Sequence, residues 1–263
     1  MIIDFHCHTF PDQLAKRAIP AMAAVSGLTP ALDGTKGALL DSMPRHGITY
    51  SVLMPVATKS GHVETMNTLA LAQNGREGLF SFGAMHVDYE DKKREFRRLK
   101  DGGIRGIKLH FDYMKRLIDA PESVRTINEA FDAGLAVLVH AGYDPVSPEI
   151  HYSEAARIAA ILPKLTKGTL ILAHFGGLGQ VAEAGRLLAG KEVYLDCSSA
   201  YQQTPLSDCR EVLLRHDPDK LLYGSDSPWF PQSDPLRVLK QMELPEELIE
   251  KICRENAAQL LGV

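Results

Sequence analysis

The chain of 263 residues is 45% hydrophobic and 24% charged, with a formal net charge of −4 at pH 7. This is an ordinary globular composition at a length normal for an α/β barrel, and it predicts a large core. Because there is no basic stripe, no apolar run of membrane length and no charged-then-apolar leader, the sequence predicts neither a nucleic-acid nor a membrane partner. The four cysteines have no CxxC spacing, so we expect reduced thiols and a cytoplasmic location.

Eight short apolar runs alternate with stretches of helical spacing. The predicted strands are, in order, Ile2–His8, Thr49–Val56, Leu79–Val87, Gly106–Phe111, Ala136–Ala141, Thr169–Phe175, Val193–Ser198 and Leu221–Asp226. Most are apolar on both faces, as in a parallel sheet covered by helices. One connection, Thr9–Thr35, is too long for a simple βα loop, and we expect it over the barrel mouth. The pattern predicts an α/β fold, a single (β/α)8 TIM barrel domain over residues 1–263, with a doubly wound open sheet as the alternative.

Polar residues gather at the carboxyl ends of the predicted strands, which is where the active sites of this fold lie. Five of the ten histidines fall there, more than a random scatter would give. The residues concerned are His6 and His8 on the first strand, Lys108 and His110 on the fourth, His140 on the fifth, His174 on the sixth, Asp196 on the seventh and Asp226 on the eighth. This placement supports the barrel and predicts a site at its mouth.

Three pieces of the chain are predicted to converge on one metal ion. They are Asp4–His8, His140 and Gly224–Pro228, and each closes an apolar run. His6 and His8 are two residues apart on a strand, so they face the same side and can bind one ion together. Imidazole and carboxylate are the ligands that a catalytic zinc or similar divalent ion takes, with a position left open for water. The arrangement predicts metal-assisted hydrolysis or a related metal-dependent reaction.

Six motifs follow one another along nearly the whole chain. They are Asp4-Phe5-His6-Cys7-His8, Gly106-Ile107-Lys108-Leu109-His110, His140, Ala173-His174-Phe175-Gly176-Gly177, Tyr223-Gly224-Ser225-Asp226-Ser227-Pro228-Trp229 and Asn256-Ala257-Ala258-Gln259-Leu260-Leu261-Gly262. On these residues the chain resembles the amidohydrolase superfamily. The resemblance is to the amidohydrolase-related branch that also holds the aminocarboxymuconate semialdehyde decarboxylase and resorcylate decarboxylase types. It implies a metal-dependent TIM barrel that acts on a small molecule.

The resemblance also implies roles for individual residues. It gives the metal ligands as His6, His8, His140 and Asp226. His174 corresponds to a histidine that either binds a second metal or acts as an acid/base and substrate-polarising group. Lys108 falls where binuclear members place a carboxylated lysine between two metals, whereas this branch usually works with one metal. We therefore expect one divalent ion per chain, zinc first, with manganese, cobalt or iron as alternatives.

Two carboxylates are predicted to support the site without touching the substrate. Asp4 is taken to share the face of His6 and His8 and to lie inside the barrel, where an unpaired carboxylate is costly. Its predicted role is to accept a proton from a ligand imidazole or to pair with a nearby cation. Asp196 is expected to cap the loop after its strand.

The remaining candidates keep two predicted roles each. Lys108 and His110 share a face, so both are expected to look into the site and contact the substrate. The alternative for Lys108 is an ion pair with Asp4 or Asp196, and the alternative for His110 is a hydrogen bond within a loop. Trp229, the one tryptophan, either walls the pocket or packs against its neighbours.

The predicted activity is that of a metal-dependent hydrolase. The metal activates a water molecule, Asp226 takes the water proton as general base, and His174 polarises the substrate oxygen. The substrate is expected to be a small polar molecule with an amide, ester or lactone bond. A non-oxidative decarboxylase of an aromatic or muconate-type acid is the alternative, and a non-catalytic metal-binding barrel is an alternative of another class. The sequence leaves homo-oligomer formation open.

Overall fold

Parallel strands with buried side chains form the centre of the molecule. The computed structural model describes all residues from Met1 to Val263. The strands are β1 Ile2–Cys7, β2 Ile48–Leu53, β3 Leu79–Ser81, β4 Gly83–Ala84, β5 Gly106–Leu109, β6 Ala136–Val139, β7 Leu170–Leu172, β8 Tyr194–Asp196 and β9 Leu221–Leu222. The pairs β1–β2, β2–β3 and each successive pair from β4 to β9 are all parallel. Because both faces of such a sheet are covered, the strand sequences are continuous apolar runs.

The predicted strand Leu79–Val87 is divided into β3, which pairs with β2, and β4, which pairs with β5. The backbone N–H of Phe82 still donates to the carbonyl of Leu53 at 2.9 Å. Beyond that point the backbone of Ala84 hydrogen-bonds the side chain of Asn67 in both directions, at 2.6 and 3.0 Å. The side chain of Asn67 takes the place of β2 as the hydrogen-bond partner of Ala84. The short strands β3 and β4 together occupy one strand position of the barrel.

Backbone hydrogen bonds between the last and the first strand close the ring. Phe5 N–H donates to the carbonyl of Tyr223 at 2.8 Å, Asp226 N–H to His6 at 2.9 Å, and His8 N–H to Ser227 at 2.6 Å. The (β/α)8 barrel prediction is therefore confirmed, and the open-sheet alternative is wrong.

Helices surround the strands, and their bounds are as follows: α1 Asp12–Ser26, α2 Lys36–Arg45, α3 Val63–Gln73, α4 Lys92–Asp101, α5 Phe111–Met114, α6 Pro121–Asp132, α7 Ala155–Ile161, α8 Val181–Leu187, α9 Leu206–Arg215, α10 Asp234–Gln241, α11 Glu246–Glu250 and α12 Asn256–Leu261. The long connection after β1 contains α1, which ends at Gly27 in the left-handed conformation, φ 72°. Only Ala15 and Ile19 of α1 are buried, so this helix lies on the surface. No helix combines the length and the apolar character needed to span a bilayer.

Apolar side chains fill the barrel below its mouth. Lys108 pairs in register with Leu138, and Leu138 with Ile171, so these residues share one face of the sheet. Leu138 and Ile171 belong to an inner cluster that also contains Phe5 and Phe82, whose rings meet edge to face at 5.6 Å. A separate, larger cluster lies between the strands and the helices. The polar groups at the mouth therefore lie above a packed apolar core.

Candidate metal centre

A bulge in β1 determines which of its side chains face the barrel mouth. Asp4 pairs in register with Ser51 and Cys7 with Leu53, so three residues of β1 span two residues of β2. An extra residue of this kind reverses the alternation of faces within a strand. Asp4 and Cys7 therefore lie on the outer side of the sheet, whereas His6 lies on the inner side.

The prediction that Asp4 shares the face of the two histidines is therefore wrong. Its carboxylate accepts hydrogen bonds from the backbone and hydroxyl of Ser225, at 2.9 and 2.6 Å, and from Gln232 Nε2 at 2.9 Å. None of these partners is an imidazole or a cation. The strand alternation used for the prediction could not reveal the bulge, because the bulge is defined only by pairing with β2.

His6, His8 and Asp226 bring three potential ligand atoms together. The Nε2 atoms of His6 and His8 are 3.2 Å apart. Asp226 Oδ1 lies 3.4 Å from His8 Nε2 and 3.7 Å from His6 Nε2. Ligands bound to zinc at 2.0–2.1 Å in a tetrahedron are about 3.3 Å from one another. The three atoms are therefore spaced as one face of a tetrahedral metal site would require.

The other ring nitrogen of each histidine is already bound by the protein. His6 Nδ1 lies 2.8 Å from Asp196 Oδ2, and His8 Nδ1 lies 2.7 Å from the carbonyl oxygen of Met54. An acceptor at Nδ1 places the ring proton there and leaves the Nε2 lone pair free for a metal. The two free Nε2 atoms lie 3.2 Å apart beside Asp226 Oδ1, so the donor set fits a divalent ion.

The protonation states of His6 and Asp226 suit the same role. Burial, reinforced by the charge of Lys108, holds the pKa of His6 well below its usual range. Burial alone would raise the pKa of Asp226, but the close contact with His8 and the positive charge of Lys108 outweigh it and lower that pKa. Near neutral pH His6 is therefore a neutral imidazole and Asp226 an ionised carboxylate, the forms that bind metals.

His140 does not meet the other predicted ligands. Its Nδ1 lies 3.0 Å from His174 Nε2, and its Nε2 lies 3.0 Å from the carbonyl oxygen of Tyr143. Its ring stacks on that of His110 at 4.3 Å. The structure brings together three members of the predicted four-ligand set, and the binding role of His140 stays a prediction.

Asp196 does more than cap the loop after its strand, because it also binds residues of two other strands' ends. It does accept from the backbone N–H of Ser198 at 3.0 Å, as a cap would. It also accepts from the backbone N–H of His174 at 2.9 Å and binds His6 Nδ1. One buried carboxylate thus connects a predicted metal ligand to a predicted catalytic residue. The sequence placed Asp196 at a strand end, but no local signal could name His6 as its partner.

His174 is fully enclosed beside this carboxylate. Its Nδ1 lies 2.8 Å from Ser198 Oγ and 2.9 Å from Ser199 Oγ, and its ring is 5.2 Å from that of His6. Burial and the charge of His140 hold the pKa of His174 well below its usual range. The ring is therefore neutral and fixed in orientation, next to but outside the group of three ligand atoms.

Lys108 and His110 both lie near the predicted ligands, and their contact with the substrate stays a prediction. Lys108 Nζ lies 3.4 Å from His6 Nε2, and no carboxylate oxygen is within 4.0 Å of it, so the predicted ion pair with Asp4 or Asp196 is wrong. Burial lowers the pKa of Lys108 to about 8. His110 Nε2 lies 3.3 Å from Asp144 Oδ2, a residue that the sequence analysis missed although it follows His140 by four positions.

Trp229 is half-buried, and its backbone N–H donates to the carbonyl of Asp226 at 3.0 Å. This bond places the tryptophan directly after the turn that carries Asp226. The two predicted roles of its side chain, a wall of the pocket or simple packing, stay predictions.

Comparison with known proteins agrees with this site and fold. Residues 3–263 match the amidohydrolase family, and the chain belongs to that family. It is an enzyme of the amidohydrolase superfamily, in the branch whose structures include hydrolases and decarboxylases. The comparison with curated proteins gives no match.

Three solved structures illustrate the likeness. A probable 2-pyrone-4,6-dicarboxylic acid hydrolase from Acinetobacter baumannii, with citric acid bound, is 19% identical over 100% of this chain and 99% of that chain, with a TM-score of 0.71. An uncharacterised TIM-barrel protein from Bordetella bronchiseptica is 18% identical over 99% and 98%, with a TM-score of 0.77. The 5-carboxyvanillate decarboxylase from Sphingomonas paucimobilis is 14% identical over 100% and 99%, with a TM-score of 0.68. At these identities the likeness shows the fold alone.

Proposed function

We propose that this enzyme is a metal-dependent hydrolase that holds one divalent ion, zinc first, between His6, His8 and Asp226. The observation that carries the proposal is the spacing of the three ligand atoms, 3.2, 3.4 and 3.7 Å, with both imidazoles bound at Nδ1. When bound, such an ion lowers the pKa of its water towards neutrality and polarises a carbonyl group. The substrate is a small polar molecule with an amide, ester or lactone bond.

The residues at the mouth supply the proton transfers and the orientation. Asp226 turns Oδ1 towards the two imidazoles, which leaves Oδ2 to accept the proton of the attacking water and return it to the leaving group. Two hydroxyl groups hold Nδ1 of His174, and its Nε2, which contacts His140 Nδ1 at 3.0 Å, would exchange that contact for the substrate oxygen. Lys108 has no carboxylate partner, so its ammonium group is available to a developing oxyanion.

A decarboxylase is the second candidate, favoured by the two named decarboxylases among the similar structures. In that reaction the same residues would hold an ion that binds the substrate carboxylate and a neighbouring oxygen, and His174 or Asp226 would deliver a proton to carbon. The two reactions differ in their products, and the metal ligands do not discriminate between them. We favour the hydrolase because Asp226 Oδ1 lies beside the two imidazoles, which leaves its Oδ2 for proton transfer with water.

The test uses metal-loaded and chelator-treated protein on two substrate panels. One panel contains lactones, esters and amides, and the other contains aromatic and muconate-type acids, with carbon dioxide release as the readout. Hydrolysis that is lost with the metal and recovered with zinc supports the proposal. Carbon dioxide release without hydrolysis replaces it with the second candidate, and hydrolysis that is unaffected by metal removal contradicts it.

A further inference from the structure

A buried polar cluster lies on the outer side of β1, behind the turn that carries Asp226. It consists of Asp4, Ser51, Ser225 and Gln232, all 0% exposed, and we call it the Asp4 cluster. The two oxygens of Asp4 accept four hydrogen bonds, two from Ser225, one from Gln232 Nε2 and a longer one, 3.4 Å, from the backbone N–H of His6. Gln232 Nε2 also lies 3.1 Å from Ser51 Oγ. The cluster thus joins β1, β2 and the segment that follows β9.

The turn at Asp226 needs external support. Its φ of 63° lies in the left-handed region, which residues with a side chain rarely adopt. The residues on both sides are held, because Ser225 N–H donates to Asp4 Oδ1 at 2.9 Å and Ser227 N–H donates to Ser225 Oγ at 3.0 Å. Asp226 N–H itself donates to the carbonyl of His6 at 2.9 Å. The Asp4 cluster therefore holds Ser225 and Ser227 on either side of Asp226, and the carbonyl of His6 holds Asp226 itself.

Gln232 contributes to this support at a cost to stability. Its Nε2 serves Asp4 and Ser51, but its Oε1 is buried without a hydrogen-bond partner. Buried polar atoms normally have hydrogen-bond partners, and an unpaired one destabilises a fold. Exceptions are therefore expected mainly at functional sites. The hydroxyl of Tyr223 binds the backbone carbonyl of Gln232 and keeps the residue in place.

We propose that Asp4 and Gln232 are positioning residues that hold the Asp226 turn and thereby set the affinity of the site for a divalent ion. They do not touch the ion. They keep Asp226 Oδ1 at 3.4 and 3.7 Å from the two imidazole nitrogens, the separation that a tetrahedral ion requires. The inference rests on the proposed function, because it needs the metal to bind at these three residues.

The test measures zinc affinity by competition with a chromogenic chelator, together with the visible absorption spectrum of the cobalt-substituted protein. Asp4→Asn replaces a charged acceptor of four hydrogen bonds by a neutral amide with one acceptor oxygen, so the turn loses part of its support. We expect zinc affinity to fall by roughly 10- to 100-fold, the scale for partners that orient metal ligands, and the cobalt spectrum to change. Gln232→Met removes one donor at similar volume, and we expect a smaller loss in the same direction.

Asn67→Ala is the matched control, because Asn67 is equally buried and binds the Ala84 backbone on another wall of the barrel. It should lower the melting temperature while zinc affinity and the cobalt spectrum stay at wild-type values. If Asp4→Asn does not fold, Gln232→Met decides the outcome. Wild-type zinc affinity in the folded variants overturns this inference alone, whereas a wild-type protein that binds no ion overturns the proposed function and this inference with it.

Discussion

Replacement of Asp196 by asparagine tests whether this carboxylate sets the tautomer of His6. Asp196 Oδ1 accepts hydrogen bonds from the backbone N–H groups of His174 and Ser198, and from the Ser198 hydroxyl at 2.5 Å. Because these donors need an acceptor, the oxygen of the new amide stays on their side and its NH2 group takes the place of Oδ2. That group then faces His6 Nδ1, 2.8 Å away in the wild type. Two donors cannot share this contact, so the His6 proton moves to Nε2.

A proton on Nε2 removes the lone pair that His6 offers to a metal. Loss of the partner that orients a ligating imidazole costs 10- to 100-fold in metal affinity, about 1.4–2.7 kcal/mol. We expect Asp196→Asn to reach the upper end of this range, because it inverts the tautomer as well as removing the partner. The free energy of unfolding should fall by about 1–3 kcal/mol, since one buried hydrogen bond to a charged group is lost.

The assay is zinc competition with a chelator, with thermal unfolding measured on the same samples. Asp217→Asn is the control, because Asp217 is a surface carboxylate that caps a turn and pairs with Lys220. We expect wild-type zinc affinity in the control and nitrogen chemical shifts of a protonated His6 Nε2 in Asp196→Asn. A folded Asp196→Asn variant with wild-type zinc affinity would refute the role assigned to this carboxylate.

Three further substitutions test individual roles. His6→Ala should lose metal and activity together but keep the fold. Its control is His216→Ala, because His216 is a buried histidine bound to the Val193 carbonyl, and this variant should lose stability and keep the metal. Equal metal content in the two variants would contradict the ligand assignment. Asp226→Asn should retain some metal and lose orders of magnitude in kcat, since an amide coordinates weakly and takes no proton; near-normal turnover would remove the general base. His174→Ala should keep its metal while kcat falls by roughly 10²-fold or more. Metal loss in parallel with activity would instead make His174 a ligand.

The sequence predicted the fold and the location of the site because both follow from local patterns. Buried parallel strands produce apolar runs that are visible without a structure, and the carboxyl ends of such strands meet at one mouth. His6, His8 and Asp226 could therefore be grouped although Asp226 lies 218 positions after His8. Strand ends were placed too far along the chain: His140 and His174, for example, follow their strands instead of closing them.

The misplaced residues depend on pairing between distant segments. The face of Asp4 is set by a bulge that exists only in register with β2. The role of Asp196 depends on His6, 190 positions away, and a carboxylate at a strand end is equally suited to capping its own loop. The orientation of His140 depends on the backbone of Tyr143 in the following loop. Gln232 carries no signal at all in the sequence, because a glutamine in a connecting segment is ordinary.

Metal content per chain tests the central claim most directly. Wild-type protein purified without added metal is analysed for divalent ions, before and after incubation with zinc and removal of the excess. We expect one ion per chain, zinc first, because His6, His8 and Asp226 bring three ligand atoms to within 3.7 Å of one another. No retained ion after incubation would contradict a metal centre at these residues, and two ions with a carboxylated Lys108 would contradict the single-ion site.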